Sequence, residues 1–484
     1  ALLWALAWAA KLPGCAGASA SAALTAEPAL GSALRGTDGH DAQDAAASLV
    51  ACTARGSRAL AAAAGPHLTV GCAGAGMPAS VLEAACALAE VSAADAAQGG
   101  PACAGAAAAA HMLAEGRLPA LTALFRPPLT TLRAAALAPP AARLLAVPFA
   151  ASAASAASGG EGGDGDGGGL FGSGAAAAPL KSYHEALLEH GVVAALAGAL
   201  AYLPPEVLPG PMSLLCRLVL GSTRFGDAFV AGGGLTPGAS AAALSPSAPP
   251  AALADALLLL SQLARCSRVH LGSLCSADLG AHLARLLRHP APHVRARAAN
   301  CAGNLCRHGD GFYGEARAAG VLRALTAACA DPDAATRKFA CFALGNAAFH
   351  SDALYSHLAA AVGPLVELLA DEDDKTRANA AGALGNLVRN SSSLCAEVLA
   401  RGAPEALMRL VHELGGPQQP PAGGGEGSAR IALFSLGNLC SHAACRARLV
   451  ALGLRAAATA LVANPPDAAA CKYAQRVLSK MSAA

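Results

Sequence analysis

Four stretches, AANCAGNLCRH (298–308), ACFALGNAAFH (340–350), AAGALGNLVRN (380–390) and ALFSLGNLCSH (432–442), are versions of one pattern. Each contains a glycine-asparagine pair: Gly303-Asn304, Gly345-Asn346, Gly385-Asn386 and Gly437-Asn438. Successive asparagines stand 42, 40 and 52 residues apart, and the longer step contains a Pro/Gly-rich insert at 415–428. The same register meets Gln262 upstream, in LLLLSQLARCS, and Lys480 downstream, in RVLSKMS.

A period near 42 residues points to an all-α solenoid of the armadillo/HEAT type, with a right-handed superhelix. One unit has too small an apolar face to fold alone, so neighbours must stack into a continuous core. Ala381, Leu384 and Val388 recur at i, i+3 and i+7, the spacing of one helix face. The run Asp371 to Asp374 supplies an N-cap and negative charge where a helix start favours both. One unit earlier, Asp331 with Pro332 reads as a cap followed by a first-turn proline. Gly363-Pro364 reads as the separator between a short helix at 354–358 and a second one at 365–369. Each unit is then a short, a middle and a long third helix. Glycine inside a helix costs about 1 kcal/mol against alanine, so Gly345 and Gly385 imply close packing.

Working outward, the repeat weakens. Residues 1–150 read as degenerate helical repeats and 151–180 as a flexible Gly/Ala-rich linker that contains GGEGGDGDGGG. Residues 181–235 read as one more degenerate repeat and 236–250 as an Ala/Ser/Pro-rich insert. Residues 251–484 hold the armadillo repeats, with the loop insert at 415–428. The chain ends after the helix bearing Lys472, Gln475, Arg476 and Lys480, which reads as a capping repeat at a natural C-terminus.

Composition agrees with helices. The chain is 54% hydrophobic but only 4% aromatic, so its apolar surface is mostly methyl groups and short aliphatics, suited to close helix packing rather than sheets. The 34 basic and 32 acidic residues nearly cancel, so the overall field gives no reason to assign nucleic acid or an anionic membrane as partner. Mean hydropathy is +0.44, yet no run approaches the roughly 20 apolar residues of a spanning helix. The opening ALLWALAWAA lacks a basic start and reads as a helix rather than a signal core.

Catalytic and metal motifs are missing. Gly160, Gly162 and Gly165 satisfy GxGxxG only within a low-complexity tract. His184 and His190 stand six apart, whereas a zinc-protease helix needs its histidines four apart. No GxxxxGK[ST], GxSxG, HRD, DFG or VAIK occurs. Cys301/Cys306 and Cys440/Cys445 share a five-residue step, but they fall at equivalent repeat positions. The sixteen cysteines read as small core hydrophobes of a reducing compartment. The reading assigns no enzyme activity to this chain, and no metal, cofactor or small-molecule substrate.

What remains is binding. The third helices of such a solenoid line its concave face, where Asn304, Asn346, Asn386 and Asn438 would offer amides at regular spacing. An extended partner has one N–H and one C=O per residue to satisfy, so this row can hold its backbone. Equally, the asparagines can satisfy neighbouring backbone groups or cap helix ends. Phe342 and Phe434, four residues before an asparagine, would line the groove. Arg337 and Arg377, at the start of the third helices, would serve acidic ligands or pair with Asp331, Asp333 and Asp371 to Asp374.

TRKFACFALGNAAFHSDALY (336–355) and DDKTRANAAGALGNLVRNSSSLC (373–395) closely resemble the C-terminal armadillo repeats of the Fused family of serine/threonine kinases. The resemblance is strong over about 290–412 and weak before 250. In importin-α a tryptophan stands four residues before the asparagine. Here those positions are Asn300, Phe342, Gly382 and Phe434, with the only tryptophans at Trp4 and Trp8, which argues against an import receptor. The resemblance implies a non-catalytic regulatory region of a kinase that docks a kinesin-related or microtubule-associated partner. It also implies a cytoplasmic, cytoskeleton- or cilium-linked location, in cilium assembly, Hedgehog-type signalling or cytokinesis. The alternative is a stand-alone armadillo scaffold unrelated to a kinase.

Overall fold

The computed structural model describes residues 130–153, 177–266, 268–415 and 427–482, with shorter pieces between 85 and 125. The opening decapeptide, both tryptophans and the GxGxxG tract lie outside the described residues. Every described element is helical. Two compact units meet in sequence between Leu259 and Leu260.

In the first unit the helices are α1 (Arg117–Ala123), α2 (Thr131–Ala153), α3 (Ala177–Glu189), α4 (Val192–Ala199), α5 (Pro209–Gly221), α6 (Thr223–Ala231), α7 (Pro237–Ala243) and the start of α8 (Pro250–Cys266). Tyr183, Phe225, Leu144, Leu187 and Leu215 fill its core, and the Tyr183 hydroxyl donates to the Leu145 carbonyl at 2.9 Å. His184 lies against the rings of Phe149 and Phe225. Two segments singled out in the sequence meet helices here. The segment 236–250 is not merely an insert: Thr236 caps α7, Pro237 opens it, and Ala239, Ser240, Ala243 and Leu244 are buried. Threonine then proline ahead of an alanine run is a helix start. The linker at 151–180 is entered by α2 through Ala153 and left by α3 from Ala177; its interior lies outside the described residues.

The second unit contains five three-helix repeats. They are α9 (Leu271–Cys275), α10 (Leu279–Leu286) and α11 (Pro292–Leu305); α12 (Tyr313–Ala318), α13 (Val321–Ala328) and α14 (Ala334–Ala347); α15 (Tyr355–Leu358), α16 (Val362–Glu367) and α17 (Asp374–Asn386); α18 (Cys395–Ala400), α19 (Ala403–His412) and α20 (Ser428–Leu439); α21 (Ala443–Ala451), α22 (Leu454–Ala463) and α23 (Ala468–Ser482). The short, middle and long order is the one the sequence predicts. Gly320, Gly402 and Gly453, at φ 75°, 70° and 78°, make the left-handed corner before the middle helix in three repeats. The third repeat lacks that glycine and turns instead through a 3₁₀ segment, Ala359–Ala361. Gly363-Pro364 therefore lies inside the first turn of α16, where a missing N–H leaves no bond unmade, and does not separate two helices.

The cap reading also shifts. Asp333 and Asp373 cap α14 and α17, each carboxylate accepting from the backbone N–H and the buried hydroxyl of Thr336 or Thr376. Asp331 is not the cap; it accepts the Asp333 N–H at 2.9 Å and is otherwise aimed at the repeat before. Asp371 does the same for Asp373. The motif is D-x-D-x-x-T-R, at 331–337 and 371–377.

The third helices stack on one another: α11 on α14, α14 on α17, α17 on α20 and α20 on α23. The glycines before the asparagines permit it. A Cβ on Gly303 would lie 2.6 Å from the Phe342 ring, and one on Gly385 would lie 2.5 Å from the Ser435 hydroxyl, whereas at Gly345 the nearest atom is 3.4 Å away. Ala381, Leu384 and Val388 are fully buried, as their spacing predicts. Nine of the twelve described cysteines are buried thiols.

Candidate partner-binding face

Three rows of polar contacts cross the joints between third helices. At the N-terminal end, Arg295 grips Asp331 of the next repeat with two bonds of 2.7 Å, Arg337 reaches Asp371 at 2.7 Å and Arg430 reaches Asp467 at 2.7 Å. Each of the first two also donates to carbonyls just ahead of its own helix. At the third joint the segment before α20, 416–426, lies outside the described residues. There Arg377 pairs with Asp374 of its own helix at 2.8 Å, and Asp374 in turn accepts from the Ser428 hydroxyl at 2.6 Å. Burial alone would raise the Asp331 and Asp371 carboxyls. The hydrogen bonds of Arg295 and Arg337, the backbone N–H groups and the nearby guanidinium charges outweigh it and hold both below the usual range.

The asparagines form the middle row. Asn346, Asn386 and Asn438 each donate Nδ2 to the glycine carbonyl of the preceding repeat: Gly303 at 2.9 Å, Gly345 at 3.0 Å and Gly385 at 3.1 Å. Asn304 donates to the Ser261 hydroxyl at 2.7 Å, since serine holds the glycine position in α8. A third row closes the C-terminal ends. His308, His350, Asn390 and His442 each bond a carbonyl one repeat back: Arg265, Arg307, Phe349 and Val388. The sequence reading placed His350 at a helix end and missed the row; the signal was a polar residue four after every asparagine.

The predicted site residues separate on this geometry. Asn304 and Asn438 are buried, 3% and 5% exposed, and Asn438 also accepts from Arg476 at 2.7 Å. The expected four-membered row therefore presents two half-exposed amides, Asn346 and Asn386. Each of these keeps one amide hydrogen and Oδ1 beyond its stacking bond. Arg337 and Arg377 take the pairing role the sequence left open. Phe342 is half-buried and packs on Gly303. Phe434 lies under the Arg476 guanidinium, 4.4 Å from ring centroid to Cζ, and meets Tyr473 edge-on.

Sequence reasoning did not single out the other aromatic-cation pairs. Arg389 lies 4.1 Å over Phe349, and Lys338 lies 5.2 Å over Phe339. Phe349 and Arg389 both stand three after their asparagine, and Phe434 and Arg476 both stand four before theirs, counting Lys480 in the asparagine register. Ring and cation thus occupy one register position in consecutive repeats and meet because the repeats stack.

No single helix among the described residues is long and apolar enough to cross a membrane. Residues 322–412 match the HEAT repeats family. A solved structure of an engineered protein aligns with 99% of this chain and 94% of its own at a TM-score of 0.60 and 19% identity, a likeness of fold. The Arabidopsis thaliana serine/threonine-protein kinase TIO is 34% identical over 129 residues, 27% of this chain and 10% of the kinase. Serine/threonine-protein kinase 36 of Pongo abelii is 33% identical over 178 residues, 35% of this chain and 14% of the kinase. The chain spans about a tenth to a seventh of the length of these relatives. Over its armadillo/HEAT repeats it is partially homologous to the Fused-family kinases.

Proposed function

We propose that residues 260–484 form the non-catalytic protein-binding and regulatory repeat region of a Fused-type serine/threonine kinase. They dock a kinesin-related or microtubule-associated partner across the third helices. The observation that carries the reading is the face itself: half-exposed amides at Asn346 and Asn386, one repeat apart, among aromatic rings held by cations. Amides at a regular interval match a peptide backbone, which alternates donor and acceptor. The partial homology to the repeat regions of two kinases supports a regulatory rather than a catalytic role. The location that follows is cytoplasmic and linked to cytoskeleton or cilium.

The test uses the full chain and the double variant Asn346→Ala/Asn386→Ala, checked for folding by circular dichroism, against kinesin-related proteins of the source organism. Binding by the parent chain and its loss in the folded variant supports the reading. Equal binding by both places the partner off this face, and binding of no kinesin-related or microtubule-associated protein removes the partner assignment.

A further inference from the structure

We infer that the third-helix face takes an extended acidic segment, a peptide whose Asp or Glu side chains seat on the ring-backed cations Lys338, Arg389 and Arg476. This rests on the reading of the face as a peptide-binding surface and adds the chemistry of its occupant.

Charge is segregated along this chain in a way its near-neutral total conceals. Residues 260–484 carry 23 Lys and Arg against 16 Asp and Glu, whereas residues 1–259 carry 11 against 16. Within the second unit the surplus is concentrated. The five third helices contain ten Lys and Arg (295, 297, 337, 338, 375, 377, 430, 472, 476 and 480) and a single acid, Asp374. Asp374 is itself held by Arg377 and Ser428. The N-terminal arginines are neutralised by the joint aspartates, so the positive field is left to the rest of each helix.

No carboxylate among the described residues pairs with Lys338, Arg389 or Arg476. Their positive charge is instead laid against the rings of Phe339, Phe349 and Phe434. A guanidinium lying on a ring keeps N–H groups at its edge for a carboxylate, so the ring orients the cation without neutralising it. Arg476 already gives two of its five N–H groups to Asn438 Oδ1 and the Phe434 carbonyl and has the other three to offer. Arg389 and Arg476 also act on each other: burial, then the charge of Arg389, lowers the affinity of Arg476 for its proton. An anion seated between them relieves that repulsion.

The amides decide between the two anionic polymers that such a face attracts. Asn346 and Asn386 present Oδ1 as well as N–H, which suits a peptide bond with one donor and one acceptor. A phosphodiester backbone has acceptors only and meets Oδ1 unfavourably. Stacked helices lie about 8–10 Å apart and an extended chain rises about 3.3 Å per residue, so the segment advances roughly three residues per repeat.

The experiment is fluorescence anisotropy with the full chain and labelled peptides of about 12 residues, a length that spans roughly four repeats at 3.3 Å per residue. One peptide carries dispersed glutamates, its counterpart carries glutamine at those positions, and a single-stranded oligonucleotide serves as the phosphate polymer. The glutamate peptide should bind at least about tenfold more tightly than the glutamine peptide, the difference shrinking with added salt. Arg389→Glu, an exposed change, should remove most of that preference while the thermal transition stays in place. Equal binding of the two peptides, tighter binding of the oligonucleotide, or an undiminished preference in Arg389→Glu overturns the proposal. If a partner is lost from Asn346→Ala/Asn386→Ala yet kept by Arg389→Glu, the peptide-binding face stands and its acidic selectivity falls. If neither peptide binds, the selectivity falls while the capture test still decides the face.

Discussion

The two halves of this chain solve the same packing problem with different materials. Residues 130–259 bury leucine, alanine and a few aromatics, and the polar bonds between their helices, such as Tyr183 to Leu145 and Arg224 to Glu185, do not recur at a fixed interval among the described residues. The described residues of 260–482 bury similar apolar groups but also repeat polar bonds in three rows from joint to joint, the arginine–aspartate row being interrupted at the third. An apolar core asks mainly for volume, and many sequences supply it. A hydrogen bond at a fixed place asks for a particular side chain each time. The period is therefore plain where stacking is stitched by polar bonds and faint where stacking is apolar.

The largest effect should be shared by both halves. Leu384→Ala in α17 and Leu215→Ala in α5 both remove a fully buried side chain, and each should cost about 2–5 kcal/mol, measured as lost hydrogen-exchange protection in its own unit. A cost near zero for Leu215 would mean that the first unit is not held by its apolar core. Glycine separates the halves more sharply. Gly385→Ala sets a Cβ against Ser435 and should destabilise by about 1–3 kcal/mol through overpacking. In α7, a Cβ on Gly238 meets only the Ala201 methyl at 3.6 Å, so Gly238→Ala should be neutral or gain up to about 1 kcal/mol of helix propensity.

The same contrast explains what could be read from the sequence. The third helices and the core face of α17 were legible because the period and the i, i+3, i+7 spacing are local. The assignment of Asp331 as a cap failed because two aspartates stand two apart, and only the stacked structure shows that the first belongs to the neighbouring repeat. The buried state of Asn304 and Asn438 was equally illegible: their sequence context matches that of Asn346 and Asn386. What differs is the neighbour above or below, Ser261 at one end and Arg476 at the other. Likewise, Phe349 with Arg389 is a pair only across a period.

Ion pairs give the next contrast, and pH exposes it. Asp371→Ala leaves Arg337 partly buried without its partner and should cost about 1–3 kcal/mol. Arg224 and Glu185 are more than half exposed, so Glu185→Ala should cost at most about 0.5 kcal/mol. On acidification the first unit should loosen earlier. Burial lowers the His184 pKa to about 4, against a small opposing influence of Glu185. Its contribution is intact above the unfolded value of about 6.5 and is lost as pH falls toward 4. Asp331, Asp371 and Asp467 titrate below the usual carboxylate value, so what they contribute persists to about pH 4 and is lost only below it. Segment-resolved hydrogen exchange at pH 7, 5 and 3.5, corrected for its intrinsic pH dependence, should show the first unit opening at pH 5 and the third-helix joints of the second only at the lowest pH, the turn around His289, whose pKa burial also lowers, loosening before them. Simultaneous opening would mean that the joint aspartates contribute little.

The smallest effect is the most informative about function. Asn386 forms one described side-chain bond, to the Gly345 carbonyl at 3.0 Å, and its amide is half-exposed. Asn386→Ala removes one neutral hydrogen bond at a half-exposed side chain, so the net cost should be about 0.5–1.5 kcal/mol. Asn438 is buried and bonds on both sides, to Gly385 and Arg476, so Asn438→Ala should cost more, toward about 3 kcal/mol, because partners are left unsatisfied out of water. Denaturant titration of the two single variants measures the difference. If Asn386→Ala is as costly as Asn438→Ala, the asparagine row is purely a stitch and the face has no amides to offer. If Asn386→Ala is mild and the chain still loses its partner, the same residue serves both purposes, one amide hydrogen holding the stack and the remaining donor and acceptor left for a peptide.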